Sequence, residues 1–144
     1  MANPIMDAKA YAKFGGIALA AVALLGIVMS LANDGAFVSG FLDFDWTHNI
    51  VHVLLAAIAL YVGFSSAGHA YAMTYAKVFG VVYAALGVLG FVPPVRTLLD
   101  DLLGLHLELG ENLVHLLLGA WGILAGFFGT AQPVRAAPTM ARRA

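Results

Sequence analysis

The chain has 144 residues, no cysteine, a formal net charge of -1, and 62% hydrophobic against 10% charged residues. Soluble domains carry about 45–50% apolar and about 25% charged residues, and a chain this short has too little interior to hide the excess, which must face lipid. The same composition excludes a basic stripe for nucleic acid, disulfides, thiolate zinc sites, iron–sulfur clusters and cysteine nucleophiles.

Lys9 and Lys13 lead into the first apolar run, at 14–32. A signal peptide ending near Ser30-Leu31-Ala32 is one reading of this segment. The run is long for a signal peptide, and a similar run recurs later in the chain, so a retained span is expected. An acidic segment with Asp34, Asp43 and Asp45 follows, over about 33–48. A second apolar run covers about 49–67. After a short connection the third covers about 70–92, with Lys77 as its only charge. Pro93-Pro94 ends it, because proline cannot continue a helix interior. A second acidic segment, about 93–111, contains Asp100, Asp101, Glu108, Glu111 and the lone Arg96. The fourth run covers 113–131. The tail at 132–144 carries Pro133, Pro138, Arg135, Arg142 and Arg143 and is expected to be flexible.

Each run is near the ~20 residues that carry a helix across ~30 Å of hydrocarbon. Helices satisfy their own backbone groups where lipid offers no partner. The expected fold is an all-α membrane protein of four transmembrane helices, forming one integral domain over 1–144. The positive-inside rule places both termini in the cytoplasm of a bacterial inner membrane and both acidic loops outside. Trp46, Tyr61, Tyr71, Tyr75 and Trp121 are expected at the membrane interfaces as an aromatic belt.

An internal repeat organises the chain. Tyr11-Ala12-Lys13 recurs as Tyr75-Ala76-Lys77. At the same offset Gly16 matches Gly80, and Leu25-Gly26 matches Leu89-Gly90. After a one-residue slip, Asn49-Ile50-Val51-His52 aligns with Asn112-Leu113-Val114-His115, and Gly63-Phe64 with Gly126-Phe127. The expectation is two tandem two-helix units, about 11–67 and 75–130. Each has an even number of spans, so the pseudo-two-fold axis runs along the membrane normal.

Candidate chemistry lies in the two Asn-x-x-His motifs. His52, Ala56, Ala59 and Gly63 share one helical face, as do His115, Gly119, Gly122 and Gly126. Small residues in such rows let membrane helices approach closely, so both histidines belong on packing faces. His48 stands four residues before His52, and Glu111 four before His115, which puts each pair on one face. If the two units face each other, His48, His52, Glu111 and His115 converge as three imidazoles and a carboxylate. That set suits zinc, iron, copper or nickel, with Asp43, Asp45 and Glu108 near enough in sequence to support it. Two other readings stand beside this one. Asn49 and Asn112 are good helix N-caps, and Asn and His also join helices as polar glue. His52 and His115 would also suit axial ligation of a haem or a chlorophyll-type pigment. His69 and His106 fall in connections and are expected to be solvated or interfacial.

The arrangement resembles a bacterial family of small four-helix membrane proteins classed as a domain of unknown function. The resemblance rests on Asn49-x-x-His52, on Asn112-x-x-His115 with Leu-Leu-Gly at 117–119, and on the glycine-rich first and third spans. It covers about residues 11–130. In that family the residue before the motif Asn is often acidic, as Glu111 is; here the first copy has His48. The resemblance implies a fold and a membrane location.

No glycine-rich phosphate loop, nucleophile elbow or His-Glu-x-x-His occurs, and acidic residues stand only at span ends, which argues against a pump. The leading expectation is therefore a non-enzymatic structural or accessory subunit of a membrane complex, with lipid and other membrane subunits as partners and no nucleic acid. Cofactor binding through the paired histidines is the alternative.

Overall fold

A computed structural model describes residues 3–32, 36–38 and 41–130. Asp34 and the tail at 132–144, with its expected flexibility and its arginines, lie outside the described residues. The elements, in order, are α1 (Ala8–Ala32), a small ribbon of β1 (Ala36–Val38) and β2 (Leu42–Asp43), α2 (Trp46–Phe64), α3 (Ala72–Leu89), α4 (Pro93–Leu103) and α5 (Leu109–Phe127). A short 3-10 turn, Ala67–Tyr71, runs straight into α3. Among the described residues, four helical segments are long and apolar enough to cross a membrane: Ala8–Ala32, Trp46–Phe64, Ala67–Leu89 and Leu109–Phe127.

The helices pack mainly as two hairpins, α1 with α2 and α3 with α5. Glycine decides how closely each pair approaches. A Cβ on Gly80 would lie 2.5 Å from the backbone carbon of Gly122, and one on Gly126 would lie 2.6 Å from the Lys77 nitrogen. In the other hairpin, a Cβ on Gly16 would sit 2.9 Å from Ala59 Cβ, and one on Gly63 would sit 2.5 Å from the Lys13 backbone. Backbone-to-backbone contact of this kind gains dispersion energy where the hydrophobic effect gives none, because lipid is as apolar as the helix face.

The segment before α1 and the segment after α5 meet at one pole, here the terminal end. Thr130 N–H donates to Met6 O at 2.8 Å, and Ala8 N–H donates to Thr130 O at 3.2 Å. Asp7 Oδ1 accepts from the Lys9 and Ala10 N–H groups and so caps α1. Above this lies a core of Tyr11, Ala12, Ala59, Val62, Tyr75 and Ala125. Tyr75 and Trp121 are packed against Tyr11 at the terminal end. Tyr75 is buried against Tyr11, with ring centres 5.9 Å apart, and Trp121 meets Tyr11 edge-on at 5.3 Å. Trp46, Tyr61 and Tyr71 are exposed, as a belt requires. Lys13 lies over the Phe64 ring at 4.8 Å and Lys77 over the Phe127 ring at 5.5 Å.

The opposite pole, the loop end, holds the ribbon and α4. The acidic segment after Pro93-Pro94 was expected to be loop, and most of it is helix. Both prolines occupy the first turn of α4, where a missing N–H costs nothing, and Gly104 closes the helix at φ 63°. Val95, Leu98, Leu99, Leu102 and Leu103 form one face, with Arg96, Thr97, Asp100 and Asp101 opposite. No α4 residue is buried in the bundle. An apolar stripe left bare in this way suits a helix lying in the membrane–water interface. Gly110 N–H donates to Phe41 O at 2.8 Å and ties the ribbon segment to α5. Phe44 and Leu107 are buried beneath this end.

Candidate metal centre

Polar residues are concentrated where α2 and α5 begin. His48, Asn49, His52, Glu111, Asn112 and His115 are all buried, and they are the buried polar or charged residues among those described. All six were singled out from the sequence, and the fold brings them to one pole of the bundle.

The N-caps are not the asparagines. Asp45 caps α2, its Oδ1 accepting the His48 N–H at 2.6 Å. Glu108 caps α5, with Glu111 as its capping-box partner. Each motif asparagine therefore sits about one turn inside its helix, where it meets the neighbouring helix. Asn49 Nδ2 donates to Ser30 Oγ on α1 at 2.8 Å, and that hydroxyl donates to Phe44 O at 3.2 Å. A Cβ on Gly26 would collide with Asn49 Oδ1, and one on Gly90 with Asn112 Oδ1. The expected role as interhelical glue thus describes Asn49.

Glu111 is held by its own helix start. One carboxylate oxygen, Oε2, accepts the Glu108 N–H at 3.1 Å. The other, Oε1, lies 3.2 Å from His48 Nδ1 on the opposite hairpin. Asp45 Oδ2 reaches the same nitrogen at 3.3 Å, so His48 Nδ1 is shared between two carboxylates. Asp45 stands just before the apolar segment Trp46–Phe64. Its partial burial opposes ionisation, but the contacts to the His48 ring and backbone prevail and hold its carboxyl below the ordinary range.

The imidazoles converge. His48 and His52 lie one helical turn apart with ring centres at 4.9 Å, and the His48 and His115 rings are near-parallel at 6.2 Å. One nitrogen from each of His48, His52 and His115 falls within 4.8 Å of the other two. His52 Nδ1 and His115 Nδ1 are buried without a hydrogen-bond partner among the described residues. Buried nitrogens left unpaired cost free energy, which a bound ligand would recover.

Tyr83 is the residue that motif spacing passes over. It is 3% exposed, its ring stacks on His115 at 5.4 Å, and its hydroxyl has no partner among the described residues. The available signal was a mismatch: at the 64-residue offset of the first and third spans, Tyr83 stands where the first unit has Leu19. Among the supporting acids, Asp45 touches the cluster, Glu108 serves as a cap, and Asp43 ends β2. His106 is exposed, as expected. Its Nε2 lies 3.1 Å from Asp100 and its Nδ1 3.7 Å from Asp45 Oδ2, which links α4 to the rim of the site. His69 lies in the 3-10 turn that links α2 to α3, away from the cluster.

Replacing Asp45 with alanine removes both the cap and one of the two carboxylates on His48. The cap alone is worth about 1 kcal/mol. Because the folded carboxyl has a depressed pKa, its stabilisation is present at neutral pH and lost as pH falls through the folded value. The deficit of Asp45→Ala should therefore be largest near pH 7 and shrink in acid, as read by thermal unfolding in detergent at several pH values.

Comparison with protein-family models, with curated proteins and with solved structures finds no match for this chain.

Proposed function

We propose that the chain is a membrane-embedded binding protein for a divalent first-row transition metal, held by His48, His52 and His115 with Glu111 beside them. The carrying observation is the mutual approach of three buried imidazoles to within 4.8 Å. Three histidines with a position open for a further ligand suit zinc, and imidazole also suits copper, iron and nickel. The carboxylates of Asp45 and Glu111 beside His48 Nδ1 supply the outer-shell partner that orients a ligating imidazole and leaves Nε2 for the ion. The third imidazole, in contact with His52, favours a small ion over a haem or chlorophyll-type ring between His52 and His115. The role is binding without a catalytic step. An accessory subunit is the special case in which the ion serves a larger membrane complex.

The test is elemental analysis of protein solubilised gently and re-equilibrated with zinc. One ion per chain, with thermal stability that rises with zinc and falls with a chelator, is the expected result. Substoichiometric metal with no thermal response would end the proposal.

Two further features belong to this reading. The hairpins are proposed as copies of one unit, supported by the paired contacts Gly26 with Asn49 and Gly90 with Asn112, and Gly63 with Lys13 and Gly126 with Lys77. An experimental structure in which 11–67 and 75–130 fail to superpose would refute this. His48 opposite Glu111 is then the place where the copies diverge to build one asymmetric site. The terminal end, bearing Lys9, Lys13 and Lys77, is proposed to face the cytoplasm of a bacterial inner membrane. The chain lacks cysteine, so single replacements report sidedness cleanly. Asp101→Cys should react with an impermeant maleimide from outside intact cells, and Ser66→Cys should not; the reverse pattern inverts the topology.

A further inference from the structure

A buried metal centre needs an entry path, and the bundle closes two of the directions from which an ion could come. From the terminal end the way is filled by the core of Tyr11, Ala12, Ala59, Tyr75 and Ala125. The helices on either side of that core are in backbone contact at Gly63 and Gly126. From the side, a cavity of about 270 Å³ lies between α1 and α5, but its lining is almost wholly apolar and includes the exposed Val114 and Leu117. A divalent cation entering there would have to leave its water in hydrocarbon, which is prohibitive for a charge.

The loop end is built differently. There a cavity of about 440 Å³ is lined by Ser30, Asp43, Phe44, Asp45, Trp46 and His106. Trp46 and His106 are both more than half exposed, so the cavity opens at the surface. Asp45 belongs to the cavity and to the cluster at once: it lines the former, and its Oδ2 lies 3.3 Å from His48 Nδ1. His106 stands at the rim, with Nδ1 3.7 Å from the same carboxylate oxygen. The two loop-end segments, 33–48 and 93–111, carry Asp43, Asp45, Asp100, Asp101 and Glu108 with a single arginine, Arg96, and no lysine. A cleft lined by one sign of charge concentrates the opposite ion and speeds its arrival.

We infer that this acid-lined cavity is the vestibule through which a hydrated divalent cation reaches the metal centre proposed above, with Asp45 as the last carboxylate it meets before His48. Loading therefore proceeds from the loop end and depends on the charge of the vestibule, while retention depends on the three imidazoles.

The experiment mixes zinc rapidly with the full chain in lipid nanodiscs, which leave both faces open, and follows uptake by competition with a chromophoric chelator. His106→Lys places a fixed positive charge at the rim. It should slow association at least about tenfold, within the range that surface charge gives to arrival rates, while one ion per chain is still bound at equilibrium. His106→Gln, without the charge, should slow it less. The chain has no cysteine of its own, so Trp46→Cys can be labelled alone at the exposed rim. A trimethylammonium thiol adduct there should slow association as strongly, and the same adduct on Ser66→Cys at the terminal end should leave it unchanged. Ala18→Trp, in the apolar cavity between α1 and α5, should also leave the rate unchanged. One bound ion per chain with parental association rates in both His106→Lys and labelled Trp46→Cys overturns the vestibule and leaves the metal centre standing. Slowing by Ala18→Trp in place of the rim variants also overturns it, in favour of lateral entry. A parent chain that binds no stoichiometric zinc removes the metal centre, and the vestibule with it.

Discussion

His115→Ala should lower zinc affinity by well over the roughly 10–100-fold that loss of an outer-shell partner costs, because it removes a proposed ligand directly. The same holds for His52→Ala, and the double variant should retain no stoichiometric zinc. The contrast with packing is built into the site. If the histidines only filled space, His115→Ala would leave a void and reduce stability to the same extent with or without zinc. If they hold an ion, the parent chain gains stability with zinc, about 2.7 kcal/mol at a hundredfold excess over the dissociation constant, and the variants gain nothing. Thermal unfolding of parent and variants across a zinc series reads this directly. Asn112→Ala is the control. It removes a side chain wedged against Gly90 without touching an imidazole nitrogen, so it should reduce stability while leaving zinc stoichiometry intact. Parallel loss of stability in all variants, independent of zinc, would assign the cluster to packing alone.

The second large effect concerns the hairpin of α3 and α5. Gly80→Leu should separate these helices, since even a methyl group there would lie 2.5 Å from the backbone of Gly122 and of Ile123. Backbone atoms cannot swing aside as a flexible side chain can. Overpacking costs typically about 1–3 kcal/mol in soluble cores, and a contact of backbone on backbone lies at or beyond the upper end. Loss of the parent circular-dichroism melting transition, or its shift by more than about 10 °C, is the expected outcome. Because His115 sits on α5, the variant should also lose zinc binding. A Gly80→Leu protein with parental melting would show that the close approach does not hold the hairpin together. Gly15→Ala is the matched control, because a Cβ there meets nothing within 4 Å.

Both expectations show how differently sequence and structure contribute. Membrane-spanning helices were legible because their cause is local: a bilayer demands about twenty apolar residues in a row, and the chain supplies four such runs. Spacing alone also put His52 and His115 on faces of small residues, because helical periodicity is a property of neighbours along the chain. The convergence of His48 and Glu111 was legible as a conditional. Whether the condition was met depended on which helices face each other, and only the tertiary structure decides that.

Three features lay outside local reasoning. The motif asparagines resemble caps by residue type, yet the caps belong to Asp45 and Glu108, because each helix starts about one turn earlier than its apolar run. The segment after Pro93-Pro94 looked like an acidic loop, since it follows two prolines and carries Asp100, Asp101, Glu108 and Glu111. Its amphipathic period, its leading prolines and Gly104 were the signals of a helix, and they become decisive only when lipid is taken as the apolar neighbour. Tyr83 carried no motif at all. By itself the sequence determined the class of fold, the number of spans and the residues able to ligate an ion, because hydropathy, periodicity and residue chemistry act over a few neighbours. The tertiary structure alone decided that three imidazoles from two hairpins meet, that a tyrosine hydroxyl is buried with no partner among the described residues, and that a cavity opens between α1 and α5. Those outcomes depend on contacts between residues far apart in the chain, set by where glycine lets two backbones touch.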